Sequence, residues 1–308
     1  MPQIYSKISA TVALLIGAII FLSATSVTEA DAQRLIERDK ILNPLENPNV
    51  SLDDGETQWL SQVGGWGAFG TYALSRDSDH MWYQELGAYA EIYRRGNRSS
   101  LAITSQIEFI ADASNDINFS PRAIFWEEGL LYSRRFSSNT FQVGYYHRCK
   151  HDIDNLRIGE ERTQVFGSAL ARVIVPASFL RENDAVFSFQ YDHYTITWEN
   201  RIPAEFEQLT PGWDELRSSL KMNAAWKLPV GESANLHFDS YGMGALFDDE
   251  MLFSGKFRVE IGRSQRAGDI RFGIFAEHLA DSGIPVQPEG VTLAGFGVRI
   301  MTPGSISH

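Results

Sequence analysis

From about Trp66 onward, apolar and polar residues alternate with a period of two, in runs of roughly ten to fourteen residues divided by turn residues. In "LAITSQIEF", Leu101, Ile103, Ile107 and Phe109 share one face, and Ala102, Thr104, Gln106 and Glu108 share the other. In "LRSSLKMNAAWK", Leu216, Leu220, Met222 and Trp226 oppose Arg217, Ser219, Lys221, Asn223 and Lys227. "FSGKFRVEI" sets Phe253, Phe257, Val259 and Ile261 against Ser254, Lys256, Arg258 and Glu260. No long helical period competes. Runs at 66–75, 84–95, 100–112, 122–135, 139–149, 161–175, 184–199, 214–227, 232–247, 250–262, 268–281 and 290–301 give twelve strands, the fourth, seventh and twelfth with the weakest alternation.

A soluble sandwich would also alternate. Here the strands are long, and the polar face carries charges of both signs in run after run, as an ion-paired or water-filled lumen would. The pattern therefore predicts an all-β fold: an antiparallel, transmembrane, up-and-down β-barrel of about twelve strands. An even number lets the sheet close with both termini on one side, removing the edges that lipid cannot hydrate. Connections after even-numbered runs are mostly tight ("RGNRSS", "FSSNT", "PVGE", "GRSQRAG"), which places them on the periplasmic side. Those after odd-numbered runs are mostly longer ("HDIDNLRIG", "RIPAEFEQLTPGW", "DSGIPVQPEG"); "VPASFLREND" and the short link after the ninth run depart from the rule.

The amino-terminal segment fits that location. Lys7 precedes "ISATVALLIGAIIFLSA", and Ala30-Asp31-Ala32 precedes Gln33, the order of a secretory signal peptide over residues 1–32. Residues 33–62 are polar and turn-rich and are expected to form a leader or plug, leaving 63–303 for the barrel in a bacterial outer membrane. The terminal "MTPGSISH" departs from assembly signals that end in an aromatic residue. With one cysteine in 308 residues no internal disulfide can form, and the formal charge of -12 argues against nucleic acid as a partner. Outer-membrane lipids are the expected surroundings and partners.

One stretch carries candidate chemistry. "YYHRCKH" sets His147, the single Cys149 and His151 at alternate positions on the face that also carries Phe141, Val143 and Tyr145, so both imidazoles and the thiol are expected to look outward. In the next run Glu161 begins the outward face, at the end a hairpin would bring beside His147 and Cys149. A base, a nucleophile and a carboxylate able to orient the base would then be adjacent on the membrane face. This arrangement resembles outer-membrane acyl hydrolases, the lipid A 3-O-deacylases and outer-membrane phospholipases A. Those families carry a His-x-Ser pair and an acid or amide partner about a dozen residues later. His147 and Cys149 match the pair and Glu161 the third member; a barrel group with a His-x-Ser-Ser-His pattern would map onto His147, Cys149, Lys150 and His151, making His151 an accessory candidate. The resemblance covers some twenty residues and departs where Cys149 replaces serine.

Two other readings use the same residues. His147, Cys149 and His151 are acceptable metal ligands, although alternate residues on a flat strand lie roughly 7 Å apart and all three would need the strand to bend. The plainer reading makes them part of an interfacial aromatic belt with Tyr145 and Tyr146, Cys149 serving as a small apolar residue. In the following loop Asp152 and Asp154 are weak calcium candidates; no other cofactor is expected. "GGWGAFG" has the spacing of a dinucleotide motif at Gly65, Gly67 and Gly70, but a strand pattern follows it, so relief of crowding where the barrel starts is the better account. His193, His237 and His278 have no visible partner and read as rim or lumen residues. The sequence thus points to a non-enzymatic outer-membrane barrel, channel or structural, with lipid acyl hydrolysis by Cys149, His147 and Glu161 as the alternative.

Overall fold

The computed structural model describes residues 41–75, 80–111, 123–152, 161–179, 181, 184–202, 215–231, 233–280 and 290–304. The expected signal peptide, the start of the leader and Asp154 lie outside those residues. Twelve antiparallel strands form one closed barrel in sequence order. They are β1 (Thr57–Thr71), β2 (Trp82–Arg95), β3 (Ser99–Ala111), β4 (Ala123–Phe136), β5 (Asn139–Asp152), β6 (Glu161–Ala177), β7 (Ala185–Ile202), β8 (Ser218–Val230), β9 (Ala234–Leu246), β10 (Met251–Gln265), β11 (Gly268–Leu279) and β12 (Val291–Met301). Closure comes from β1 against β12, from Trp66 opposite Met301 to Thr71 opposite Phe296.

Each expected run is a strand, and the first begins earlier than expected, at Thr57 instead of 66. The cause is local. Leu60 has a left-handed backbone, φ 51°, and the pairing of β1 with β2 shifts register between Trp59 and Gln62. A bulge of this kind inserts an extra residue, so the alternation before it runs out of phase with that after it. The Gly65, Gly67 and Gly70 spacing lies inside β1. At Gly70 a Cβ would come within 2.5 Å of the Tyr83 ring, so the ring occupies the space that a side chain would need.

The two faces of the sheet meet different surroundings. Ile103, Leu220, Ile261, Phe272 and Ile274 stand exposed on the outside, an apolar wall suited to lipid. The inside is packed. Toward the long-loop end, Ile110, Phe125, Phe166, Leu216, Met243 and Phe247 form one apolar cluster, and Tyr72, Tyr83, Phe275 and Leu293 belong to another. Further along the lumen, charges pair with one another: Arg148 with Glu127, Lys256 with Glu277, and Lys221 with Asp192 at 3.2 Å. Arg299 donates to Glu260 at 2.8 and 3.0 Å and also pairs with Asp239, which lies 3.6 Å from Arg271.

At the turn end the lumen is filled by residues 41–46. Ile41, Leu42, Asn43 and Leu45 are buried there, and Pro44–Glu46 form a single 3-10 turn. Polar groups of the wall hold this segment by its backbone: Gln142 donates to the Leu42 carbonyl at 2.9 Å, and Gln62 and Arg94 donate to that of Pro44 at 2.8 and 3.0 Å. The chain beyond β12 meets it, because the Asn43 amide donates to the Gly304 carbonyl at 3.2 Å.

Candidate functional site

The alternation of β5 sends Tyr146, Arg148 and Lys150 into the lumen, where they are buried, and leaves His147 and His151 exposed and Cys149 half-buried on the outer wall. All three candidates therefore share the lipid-facing side near the long-loop end of the strand. Their Cα atoms are spaced by roughly 7 Å per step, as on any strand.

Register decides which neighbours they have. On the β6 side Gly167 stands opposite His147, Val165 opposite Cys149 and Thr163 opposite His151. Glu161 lies two positions beyond Thr163 and pairs with Ile202 of β7, so its backbone is roughly 13 Å along the strand from the partner of Cys149. The expected placement of Glu161 directly beside His147 and Cys149 is corrected by the register: its backbone position is four residues along β6 from the partner of Cys149 and six from that of His147. The Glu161 and Asp152 side chains are not among the described groups, and Asp154 lies outside the described residues. Among the described residues no cluster of three or more His, Cys, Asp or Glu side chains is arranged to hold a metal ion.

An acid does stand beside His147, on the other strand. Glu128 of β4 is its direct cross-strand partner, and Trp126 is that of Cys149. Glu128 is exposed on the outer wall, and its Oε1 accepts a hydrogen bond from the Trp126 indole at 2.9 Å. No described hydrogen bond joins His147 to Glu128 or to Cys149. The sequence did carry a signal for this residue: Glu128 interrupts a face otherwise made of Ile124, Trp126, Leu130 and Tyr132.

The patch continues across β6. Tyr145 leans over Gly167, whose missing side chain makes room for the phenol, and its hydroxyl lies 3.0 Å from Thr195 Oγ1 on β7. Thr195 in turn donates to the Gly167 carbonyl at 3.3 Å, next to a register shift between Gly167 and Ser168. His193, opposite Ala169, is exposed on the same wall. His278 also faces outward and sits 2.9 Å from Thr292, whereas His237 is buried in the lumen. A thiol, imidazoles, one carboxylate and hydroxyls thus collect on the outer wall over β4 to β7 among the described residues, groups able to exchange protons and to hydrogen-bond.

Comparison with solved structures returns outer-membrane barrels. Outer membrane phospholipase A from Escherichia coli matches with TM-score 0.45 and 12% identity over 85% of this chain and 98% of that one. LpxR from Salmonella typhimurium matches with TM-score 0.42 and 10% identity over 78% and 99% of the two chains. The Pseudomonas putida toluene transporter TodX matches with TM-score 0.39 and 8% identity over 89% and 96%. The chain has the fold of an outer-membrane β-barrel, seen directly in its closed twelve-strand antiparallel sheet and apolar outer wall. Nothing further is carried over from neighbours of such low identity. No family profile matches the chain, and no curated protein sequence does.

Proposed function

We propose that this protein is a non-conducting, non-enzymatic barrel of the outer membrane, with a packed core where a channel would have a passage. One observation carries the reading. Lumen-facing Arg148, Arg271 and Arg299 are at most 2% exposed, and each is held against carboxylates. Charges lining a water-filled pore would be wet, and these are not. The segment 41–46 fills the turn end in addition. Purified full-length protein inserted into planar bilayers is expected to give no steps above the bare bilayer. Stepwise conductance at any applied voltage would overturn the proposal.

A second reading rests on the cross-strand pairing of Glu128 with His147. In it Cys149 Sγ attacks a lipid ester carbonyl, His147 takes the thiol proton and returns it to the departing alkoxide, and water hydrolyses the acyl thioester. Glu128 replaces Glu161 as the orienting acid. Mass spectrometry of outer-membrane lipids from cells expressing wild type, His147→Ala, Cys149→Ala and Glu128→Gln decides between the two. Folding of each is checked by heat-modifiable gel mobility. Identical lipids in all four support the structural barrel, and loss of an acyl chain with wild type alone supports the hydrolase.

A further inference from the structure

At the turn end, the outer wall carries charge of one sign. Among the described strand residues there, the charged side chains that face outward are Arg95 on β2, Arg134 on β4 and Arg263 on β10. Two of them belong to one row. Ser99 of β3 stands opposite Arg95 on one side and opposite Arg134 on the other, so the two arginines flank its hydroxyl with Cα atoms roughly 9–10 Å apart. One step toward the membrane interior, Leu101 is flanked in the same way by Tyr93 and Tyr132. Beyond that, Ile103 lies between Ala90 and Leu130, all apolar. From the rim inward the wall therefore reads guanidinium–hydroxyl–guanidinium, then phenol–leucine–phenol, then hydrocarbon.

The chain neighbours of these arginines show what an engaged guanidinium looks like here. Arg94 turns inward and donates to the Pro44 and Gly96 carbonyls and to Asn97. Arg135 turns inward to the Leu45 carbonyl and Glu46. Arg95 and Arg134 are exposed, and the one described contact of either head group is that of Arg134 with the Phe136 ring, 5.2 Å away. Of the acids in the adjoining segment, Asp54 pairs with Arg98 and Glu56 accepts from the Asp53 amide.

We propose that Arg95, Ser99 and Arg134 form a binding site for the phosphate of an anionic phospholipid in the periplasmic leaflet. Arginine presents a fork of donors that matches phosphate oxygens, and its long stem can lie along the wall while the head reaches the headgroup level. Two such forks with a hydroxyl between them close on one phosphate. Tyr93 and Tyr132 sit at the depth of the glycerol backbone, where amphipathic rings belong. The acyl chains run along Leu101, Ile103 and Leu130. The row contains no carboxylate, so a net anionic headgroup is favoured over a zwitterionic one, whose own cation the two arginines would repel.

Native mass spectrometry of the full chain in a non-ionic detergent tests this, with phosphatidylglycerol or phosphatidylcholine supplied at equal concentration and inorganic phosphate as a competitor. One phosphatidylglycerol is expected to stay bound, at least tenfold more than phosphatidylcholine and in the presence of excess inorganic phosphate. Arg95→Gln with Arg134→Gln is expected to lose that retention at least tenfold, while Arg263→Gln keeps it. Heat-modifiable mobility checks folding, and should the double variant not fold, single Arg134→Gln is expected to lose at least threefold. Equal retention of the two lipids, or retention undiminished in the variants, overturns the proposal. Displacement by inorganic phosphate also overturns it, in favour of a site for a free anion.

Discussion

Replacing Arg299 by methionine removes a cation that two carboxylates share. Glu260 accepts from Arg299 Nε at 2.8 and 3.0 Å, Asp239 is its second partner, and the arginine is 1% exposed. In the variant, Asp239 retains Arg271 at 3.6 Å and Glu260 faces it with no cation of its own at that position. Breaking a buried ion pair from one side costs roughly 3–5 kcal/mol, whereas a solvated pair is worth roughly 0–1 kcal/mol. The same substitution therefore reports whether water fills the lumen. A packed lumen predicts a loss of about 3–5 kcal/mol, between two and almost four powers of ten in the folded-to-unfolded ratio. Urea-driven unfolding in lipid vesicles, followed by tryptophan fluorescence, measures it. Adding Glu260→Met to Arg299→Met removes the stranded charge together with its partner, and most of the lost stability is expected to return. A loss below about 1 kcal/mol for Arg299→Met alone would refute the reasoning, because it would show that solvent already screens these charges.

Two further substitutions probe the packing. Gly64→Val would push a side chain into the Tyr89 ring and within 2.5 Å of Thr302 Oγ1, at the seam where β1 meets the chain end; a destabilisation of about 1–3 kcal/mol is expected in the same assay, against none if the seam is loose. Arg94→Ala removes one of the two donors to the Pro44 carbonyl and the buried neighbour of Glu91, so segment 41–46 should loosen. Limited proteolysis from the periplasmic face should then cut in that segment several times faster than in wild type, and an unchanged rate would show that the segment is held by its apolar residues alone.

The strands were legible because lipid outside and charge inside enforce alternation on every run. Where a bulge breaks the alternation, as at Leu60, the residues before it fall out of phase, and β1 begins earlier than the alternation indicates. The candidate site was legible in part, and the difference lies in the two connections that flank β5. The β4–β5 turn is tight, with Phe136 opposite Asn139 and Ser137 in the left-handed region at φ 55°, so counting back from it places Glu128 opposite His147. A tight turn fixes register. The connection from β5 to β6 is longer, and the pair at which such a hairpin closes cannot be counted from sequence; Glu161 was matched by its spacing from Cys149, whereas the ladder pairs Cys149 with Val165. The interior was partly visible as charges of both signs, but which cation meets which carboxylate depends on stagger around the whole barrel.

The outer wall differs in its polar residues from one end of the barrel to the other. Outward-facing His147, His151 and His278 lie in the loop-side halves of their strands, together with Glu128, and His193 lies at the middle of β7, whereas outward Arg95, Arg134 and Arg263 lie at the turn ends. Arginine keeps its charge at any ordinary pH, so on a lipid-facing wall it is confined to a level where water or phosphate can reach it. Imidazole is neutral over much of the same range and tolerates a more apolar setting. An arginine rim with no acid among its outward-facing described strand residues suits headgroup phosphate at that end of the barrel. Tight turns belong to the periplasmic side. Chain connectivity therefore assigns the arginine end of the barrel to the periplasm, and places the His147, Cys149 and Glu128 patch toward the outer leaflet.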